Sequence, residues 1–169
     1  MTVRAAFKSP PPTLSFLIAD PEHAPVVAKL YADAFANPWS VADIEALLMA
    51  ETAIALYATM DAGRKPVGFV IGRLAGDDSE IVTIGVAPGY QRRGIGQEIL
   101  AAYERASQRA NADRVVFEVS AKNTAACALY HAAGYGVLGE RKAYYRQTDG
   151  ATCDALLLGK ALPPLEADA

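Results

Sequence analysis

The chain has no run approaching the ~18 apolar residues that a helix needs to cross a membrane, and its 169 residues include only two cysteines and two histidines. Cys127 and Cys153 show no CxxC spacing, so no metal is expected. Cys127, inside "TAACALYHAAG", reads as a small core residue. The phosphate loop GxxxxGK[ST] is absent, which excludes a Walker-type nucleotide site. No dinucleotide fingerprint is complete either, because the later glycine and the acid about 20 residues on are both missing. There is no internal repeat and no low-complexity block. The opening "MTVRAAFKSPPPT" lacks the apolar centre of a signal peptide. A cytoplasmic protein with no membrane partner is the expectation.

Charge is scarce in excess of either sign. The formal net charge is −3, with 6 basic against 10 acidic residues in 1–80 and 10 against 9 in 81–169. The acidic front half argues against a nucleic-acid partner. A hydrophobic content of 52% in a chain of this length fits one domain with a full core. The expected boundaries are a Pro-containing leader over 1–13, a domain over 14–160 and a flexible tail over 161–169.

What the chain does have is a strand, a glycine-arginine turn and a long helix in "EIVTIGVAPGYQRRGIGQEILAAYERASQRA". The apolar run 80–86 predicts a buried strand. Ile95, Ile99, Leu100, Tyr103 and Ala106 recur at helical spacing. A helix N-terminus offers unpaired N–H groups and a partial positive charge. Gly94 and Gly96 allow close backbone approach, and Arg92 and Arg93 supply charged donors, a combination suited to a pyrophosphate. The alternative is a tight turn carrying two solvated arginines.

Around this unit the order reads strand, two helices, two or three strands, helix, strand, helix and two strands. "TLSFLIA" predicts the first strand. "PEHAPVVAKLYADAF" predicts a helix with Val26, Val27, Leu30, Tyr31 and Phe35 on one side. Ser40 with Asp43 marks the N-cap of the second helix. "AIALYATM" and "PVGFVIGRLA" form a hairpin, "DRVVFEVS" is a strand, and Gly134 ends a short helix. A mixed α/β sheet with helices on its faces is the predicted architecture.

"QRRGIG" fits the pattern Q/R-x-x-G-x-G/A of the GNAT superfamily of N-acetyltransferases, and "FEVSAKNTAACALYHAAGY", "RKAYY" and "TDGATCDALLL" follow in that superfamily's order and spacing. The chain resembles it over roughly 14–160. "NPWS", "FEVSAKN", "ALY" and "AYY" are most similar to the ribosomal-protein-alanine N-acetyltransferases, the RimI type. The resemblance implies a mixed, mostly antiparallel sheet of about seven strands with about four helices. It also implies acetyl-CoA as co-substrate, held by Arg92, Arg93, Gly94, Ile95, Gly96 and Gln97 at the pyrophosphate. The backbone of Ile84, Gly85 and Val86 would lie along the pantetheine arm, and Asn123 would add a contact. A glycine in a strand marks a bulge or a close approach, and Asn123 could instead cap the next helix.

The same resemblance makes Glu118 the base and Tyr130 the acid, with Trp39, Tyr144 and Tyr145 lining the acceptor. Glu118 interrupts an apolar strand, where a carboxylate is costly unless it faces a cleft or a partner. The bland readings are an edge carboxylate, a core tyrosine and core aromatics. The adjacent tyrosines, alternating in a strand, would send one ring to each face. A protein α-amine (pKa ~8) is about 3 kcal/mol easier to deprotonate than lysine near neutrality. The expected partner is therefore a protein N-terminus, the alanine of a small-subunit ribosomal protein by resemblance. Direct attack in a ternary complex is expected, since no cysteine nucleophile stands out. A small-molecule amine or a lysine as acceptor, and a non-catalytic acyl-CoA-binding module, are the competing readings. Arg146 stands where the resembled pattern has proline, and Ser120 also departs from it; both bear on peptide preference.

Overall fold

The structure, a computed structural model, describes residues 13–146 and 149–166. The expected leader therefore lies, apart from Thr13, outside the described residues. In chain order the elements are β1 (Ser15–Ile18), α1 (Ala24–Ala34), α2 (Val41–Leu48), β2 (Ala53–Met60), β3 (Lys65–Ala75), β4 (Asp78–Val86), α3 (Ile95–Arg109), β5 (Arg114–Ser120), α4 (Thr124–Ala132), β6 (Gly136–Arg146) and β7 (Thr152–Ala161). Short 3-10 turns precede α1 and α3. The seven strands form one sheet in the order β1-β2-β3-β4-β5-β7-β6. Every neighbouring pair is antiparallel except β4 and β5.

Local chemistry sets the ends of these elements. The Ser40 hydroxyl accepts from the Asp43 N–H at 3.1 Å, and the Asp43 carboxylate accepts from the Ser40 N–H at 2.9 Å, so α2 starts on a closed capping box. The β2–β3 turn runs through left-handed Asp61, Ala62 and Gly63. Helix α1 stops at Ala34, where Phe35 turns extended (φ −128°, ψ 141°). Phe35 thus leaves the helical face on which its spacing placed it.

Each face of the sheet carries its own core. α3 and α4 cover one face, with Ile99, Leu100, Tyr103, Val115, Phe117 and Tyr130 buried together. α1 and α2 cover the other, closing over Val27, Tyr31, Ile44, Phe69 and Ile71. β7 runs to Ala161, Leu162 is buried, and the Pro163 carbonyl accepts from Gln108 at 2.8 Å. Ordered packing therefore continues past the expected limit at 160. Cys127 is half-buried and packs against the α3–α4 core rather than lying fully within it.

The parallel pair organises the rest. β4 and β5 pair only over Asp78–Glu80 with Arg114–Val116. Arg114 grips Asp78 there through two hydrogen bonds of 3.0 and 2.7 Å. Beneath it Ser107 donates to Ser79 (2.8 Å), Ser79 meets the Tyr103 hydroxyl (2.6 Å), and Tyr103 donates to the Glu80 carbonyl (3.3 Å). Beyond these rungs the strands part. On its other side β4 stays paired with β3, with Val82 as an extra residue between the Ile71–Thr83 and Gly72–Ile81 rungs. A bulge of this kind bends the strand. Ile84, Gly85 and Val86 are consequently half-exposed, although their apolar run predicted full burial.

Candidate functional site

The parting of β4 and β5 opens a cleft of about 660 Å3. Ile84, Gly85 and Val86 form one wall, Ala125, Ala126, Leu129 and Tyr130 of α4 the other, and Gln91, Arg92, Gly94, Gly96 and Gln97 close one end. Past Glu80 no strand pairs with β4 on this side among the described residues. Its backbone groups there can take an extended ligand as an added strand.

The turn at the end of the cleft is shaped for an anion. Arg92 (φ +61°) and Gly94 (φ +79°) both take the left-handed conformation. Gly94 is the N-cap of α3 and supplies no capping side chain, which leaves first-turn N–H groups open. A Cβ on Gly94 would meet nothing within 4 Å, so its glycine serves the backbone conformation. Gly96 differs: a Cβ there would stand 3.3 Å from Leu129, tight against the α4 wall. Gln91 pins the turn to the strand by donating to the Val86 carbonyl at 3.0 Å.

The remaining expected cofactor residues divide. The Ile95 side chain is buried in the core and Arg93 lies 5.5 Å from the Tyr90 ring, so neither side chain lines the cleft. Asn123 is the N-cap of α4, its Oδ1 accepting from the Ala126 N–H at 3.1 Å, and the side-chain amide nitrogen is not used in that bond. Gly85 is neither the bulge nor an open approach. A Cβ there would stand 2.8 Å from Phe69 and 3.1 Å from Phe35, so aromatic packing demands the glycine.

Tyr130 lines the cleft, whereas Glu118 points to the opposite face of the sheet and is not part of that lining. Val115, Phe117 and Val119 point into the α3–α4 core, which turns Glu118 to the other side. There its Oε1 lies 3.2 Å from the Arg141 Nε, with 24% of the carboxylate side chain exposed. Tyr130 packs on Phe117 with ring centroids 3.9 Å apart and also lines the cleft. Its hydroxyl makes no hydrogen bond within the described residues, and no buried side-chain oxygen there lacks a partner. The hydroxyl therefore keeps some solvent access, on a residue that lines the cleft. Burial pushes the Tyr130 phenol well above its ordinary range, with the neighbouring Cys127 adding to the effect. It stays protonated at any working pH.

The aromatic residues expected at the acceptor lie outside the lining of this cleft. Trp39 stacks on Tyr31 at 4.8 Å and does not line the cleft, whereas Phe35 does. Phe35, Tyr90 and Leu129 escaped sequence reading because each carries an ordinary core or turn signal. Tyr144 and Tyr145 do not point to opposite faces. Their rings lie 5.2 Å apart, edge to face, because the β6–β7 ladder is irregular between Arg141 and Tyr145 and Ala143 is left-handed (φ +51°). Burial and then the Glu118 charge raise the Tyr145 phenol, which places that ring within the carboxylate's field.

Comparison with known proteins agrees with this geometry. The [ribosomal protein bS18]-alanine N-acetyltransferase of Escherichia coli is 34% identical over 99 residues, 59% of this chain and 65% of that protein. The match thus spans just under two thirds of the relative's length. The crystal structure of the Escherichia coli ribosomal-protein-S18-alanine N-acetyltransferase superposes with a TM-score of 0.80 at 24% identity, over 93% of this chain and all of that one. Arabidopsis thaliana NAA60 in complex with acetyl-CoA gives a TM-score of 0.74 at 17% identity, over 89% and 99%. The sequence profile of the acetyltransferase (GNAT) family matches residues 24–135, two thirds of the sequence, and the chain belongs to that family.

Proposed function

We propose that this chain is an acetyl-CoA-dependent Nα-acetyltransferase that modifies a protein N-terminus, an N-terminal alanine of a small-subunit ribosomal protein. The observation that carries the reading is the cleft itself. It passes between the parted strands, so that a ligand held along Ile84–Val86 has Tyr130 on one side of the sheet and Glu118 on the other. The likeness to the Escherichia coli enzyme supports the choice of acceptor.

Acetyl-CoA fits what the residues offer. The uncapped first turn of α3 and Arg92 suit the pyrophosphate, the edge of β4 suits the amides of the pantetheine arm, and the Ala125–Ala126–Leu129 wall suits its methylenes. When bound, the co-substrate supplies the thioester carbonyl that the amine attacks. Glu118 takes the proton that the ammonium must lose before its lone pair is available. Tyr130 donates a hydrogen bond to the departing sulfur. Full proton transfer from a phenol to a thiolate whose acid has pKa ~8.5 is uphill by about 2 kcal/mol even at the ordinary phenol value. The burial shift widens that gap, so hydrogen bonding rather than full proton transfer is the role assigned to Tyr130.

The Tyr130→Phe variant is expected to lose about tenfold to a hundredfold in kcat, the worth of one hydrogen bond to a charged atom. Because the phenol is raised, that deficit should stay constant over roughly pH 6 to 9. A deficit that grows with pH would remove this role.

The acceptor is tested by mass spectrometry of peptides incubated with acetyl-CoA: Ala-first and Met-first peptides with free N-termini, and N-blocked peptides with an internal lysine. Acetylation of free α-amines alone, with Ala-first peptides preferred, is the expected result. Modification of lysine alone, or of no peptide, would overturn the reading.

A further inference from the structure

The irregular segment of β6 does more than pair two tyrosines. Arg141 stands opposite Ala155 and Tyr145 opposite Cys153, so Lys142, Ala143 and Tyr144 bulge out against the single residue Asp154. The bulge turns through Ala143, whose φ of +51° is a conformation that L residues other than glycine rarely take without support.

Asp154 supplies that support from three directions. Its Oδ1 accepts from the Ala143 N–H at 2.8 Å, and its Oδ2 accepts from Lys142 Nζ at 3.3 Å. Its backbone carbonyl accepts from the Ala121 N–H at 2.9 Å, which ties the bulge to the end of β5 just beyond Glu118. The Ala143 N–H, ahead of the other contacts, holds the Asp154 carboxyl below the usual carboxylate range, so it remains an acceptor through neutral pH. What the bulge presents is a chain of contacts leading to the reacting side. The Tyr144 ring lies edge to face with Tyr145 and 5.1 Å from the Arg141 guanidinium, and Arg141 reaches Glu118.

We propose that Asp154 is a positioning residue: by capping the left-handed bulge at Ala143 it holds Arg141 against Glu118 and brings the Tyr144 and Tyr145 rings together beside that pair. Its consequence for catalysis rests on the acetyltransferase reading above. Asp154 acts through these neighbours and touches neither substrate. A regular strand at this place would alternate the two tyrosines across the sheet. The functional content of the bulge is that it breaks this alternation, and an aspartate on the neighbouring strand is what holds the break in place.

The test uses the full chain and three variants: Asp154→Ala, Asp154→Asn and the double variant Asp154→Ala with Ala143→Gly. Asparagine keeps an oxygen for the Ala143 N–H, and glycine adopts the left-handed turn without support. Asp154→Ala is expected to lower kcat/KM for an Ala-first peptide by about tenfold to a hundredfold, the scale of a small misplacement at a reacting centre. The acetyl-CoA dissociation constant should be unchanged, since Asp154 does not line the cleft. Asparagine, and glycine in the double variant, should restore at least a third of the lost activity. Unchanged peptide kinetics in Asp154→Ala, or parallel losses of acetyl-CoA binding and of folding, would overturn the proposal.

A second readout needs no turnover. In the protein labelled with 13C-tyrosine, the Tyr144 and Tyr145 ring signals should move in Asp154→Ala and return in the two rescuing proteins. Ring signals that stay in place in Asp154→Ala would overturn the proposal by themselves. A wild-type protein that binds acetyl-CoA and acetylates no peptide would instead count against the functional reading, leaving the ring signals to decide the geometry.

Discussion

Replacing Glu118 by glutamine is expected to lower kcat for peptide acetylation at pH 7 by roughly 10²-fold to 10³-fold, the range for loss of a positioned general base. Binding of acetyl-CoA should be retained, because Glu118 does not line the cleft that would hold it. Without the carboxylate the amine must reach the site already deprotonated. An α-amine with pKa ~8 is about one tenth free base at pH 7 and about nine tenths at pH 9. The deficit should therefore shrink toward pH 9, by close to tenfold. Folding should hardly respond. The Arg141–Glu118 pair has the arginine side chain 60% in solvent, and pairs so exposed contribute less than about 1 kcal/mol. Steady-state kinetics across pH, with acetyl-CoA binding measured separately, decides the matter. A deficit that is the same at every pH, or binding that weakens in step with turnover, would reassign Glu118 to architecture.

What the sequence reveals about this site follows a physical division. Features written in local spacing were legible. The α3 stripe appears as read from Ile95 through Ile99 and Leu100 to Tyr103, with Ala106 only half-buried and Ala102 and Ser107 the unannounced members of its buried side. The Ser40–Asp43 box was legible because both partners lie within one turn. The turn from β4 into α3 was legible because a strand, a glycine-rich break and a helix start are contiguous. Features set by pairing between distant strands were not. Nothing in "EIVTIGV" says that β5 accompanies it for three rungs and then leaves, so a strand that reads as buried becomes the wall of a cleft. The tyrosines failed for a related reason. Alternation is a sound rule for a regular strand, but the residue that supports its break at Ala143, Asp154, is eleven positions away on β7. Phe35 lines the cleft instead of the α1 face because the helix ends one residue before it, and a periodic pattern fixes such an end only loosely.

Gly72 is the position where the same long-range logic predicts the largest loss of stability. Glycine inside a strand is ordinarily worse than alanine, so its presence in β3 calls for a cause. The cause lies on α3: a Cβ on Gly72 would overlap the Tyr103 hydroxyl and stand 2.5 Å from the Glu80 carbonyl oxygen. The hydroxyl cannot easily give way. It links Ser79 to the Glu80 carbonyl in a network where Tyr103, Ser79 and Ser107 are each fully buried, and burial pushes the phenol up to about 12. Gly72→Ala must either shift α3 or break that network. Overpacking costs about 1–3 kcal/mol, and a buried hydroxyl left without a partner costs about as much again. A loss of about 3 kcal/mol or more follows, at least about 6 °C in Tm for a chain of this size. Gly89→Ala is the control: a Cβ there meets nothing within 4 Å, and the change should stay within about 0.5 kcal/mol. The decisive comparison is Gly72→Ala combined with Tyr103→Phe. Removing the hydroxyl makes room for part of the new methyl, so the double variant should be less destabilised than the sum of the singles. Strict additivity in chemical denaturation would mean that Gly72 answers to the Glu80 backbone alone. A non-additive result would instead identify the Tyr103 hydroxyl as the group that holds β3, β4 and α3 together at the last rungs before the cleft opens.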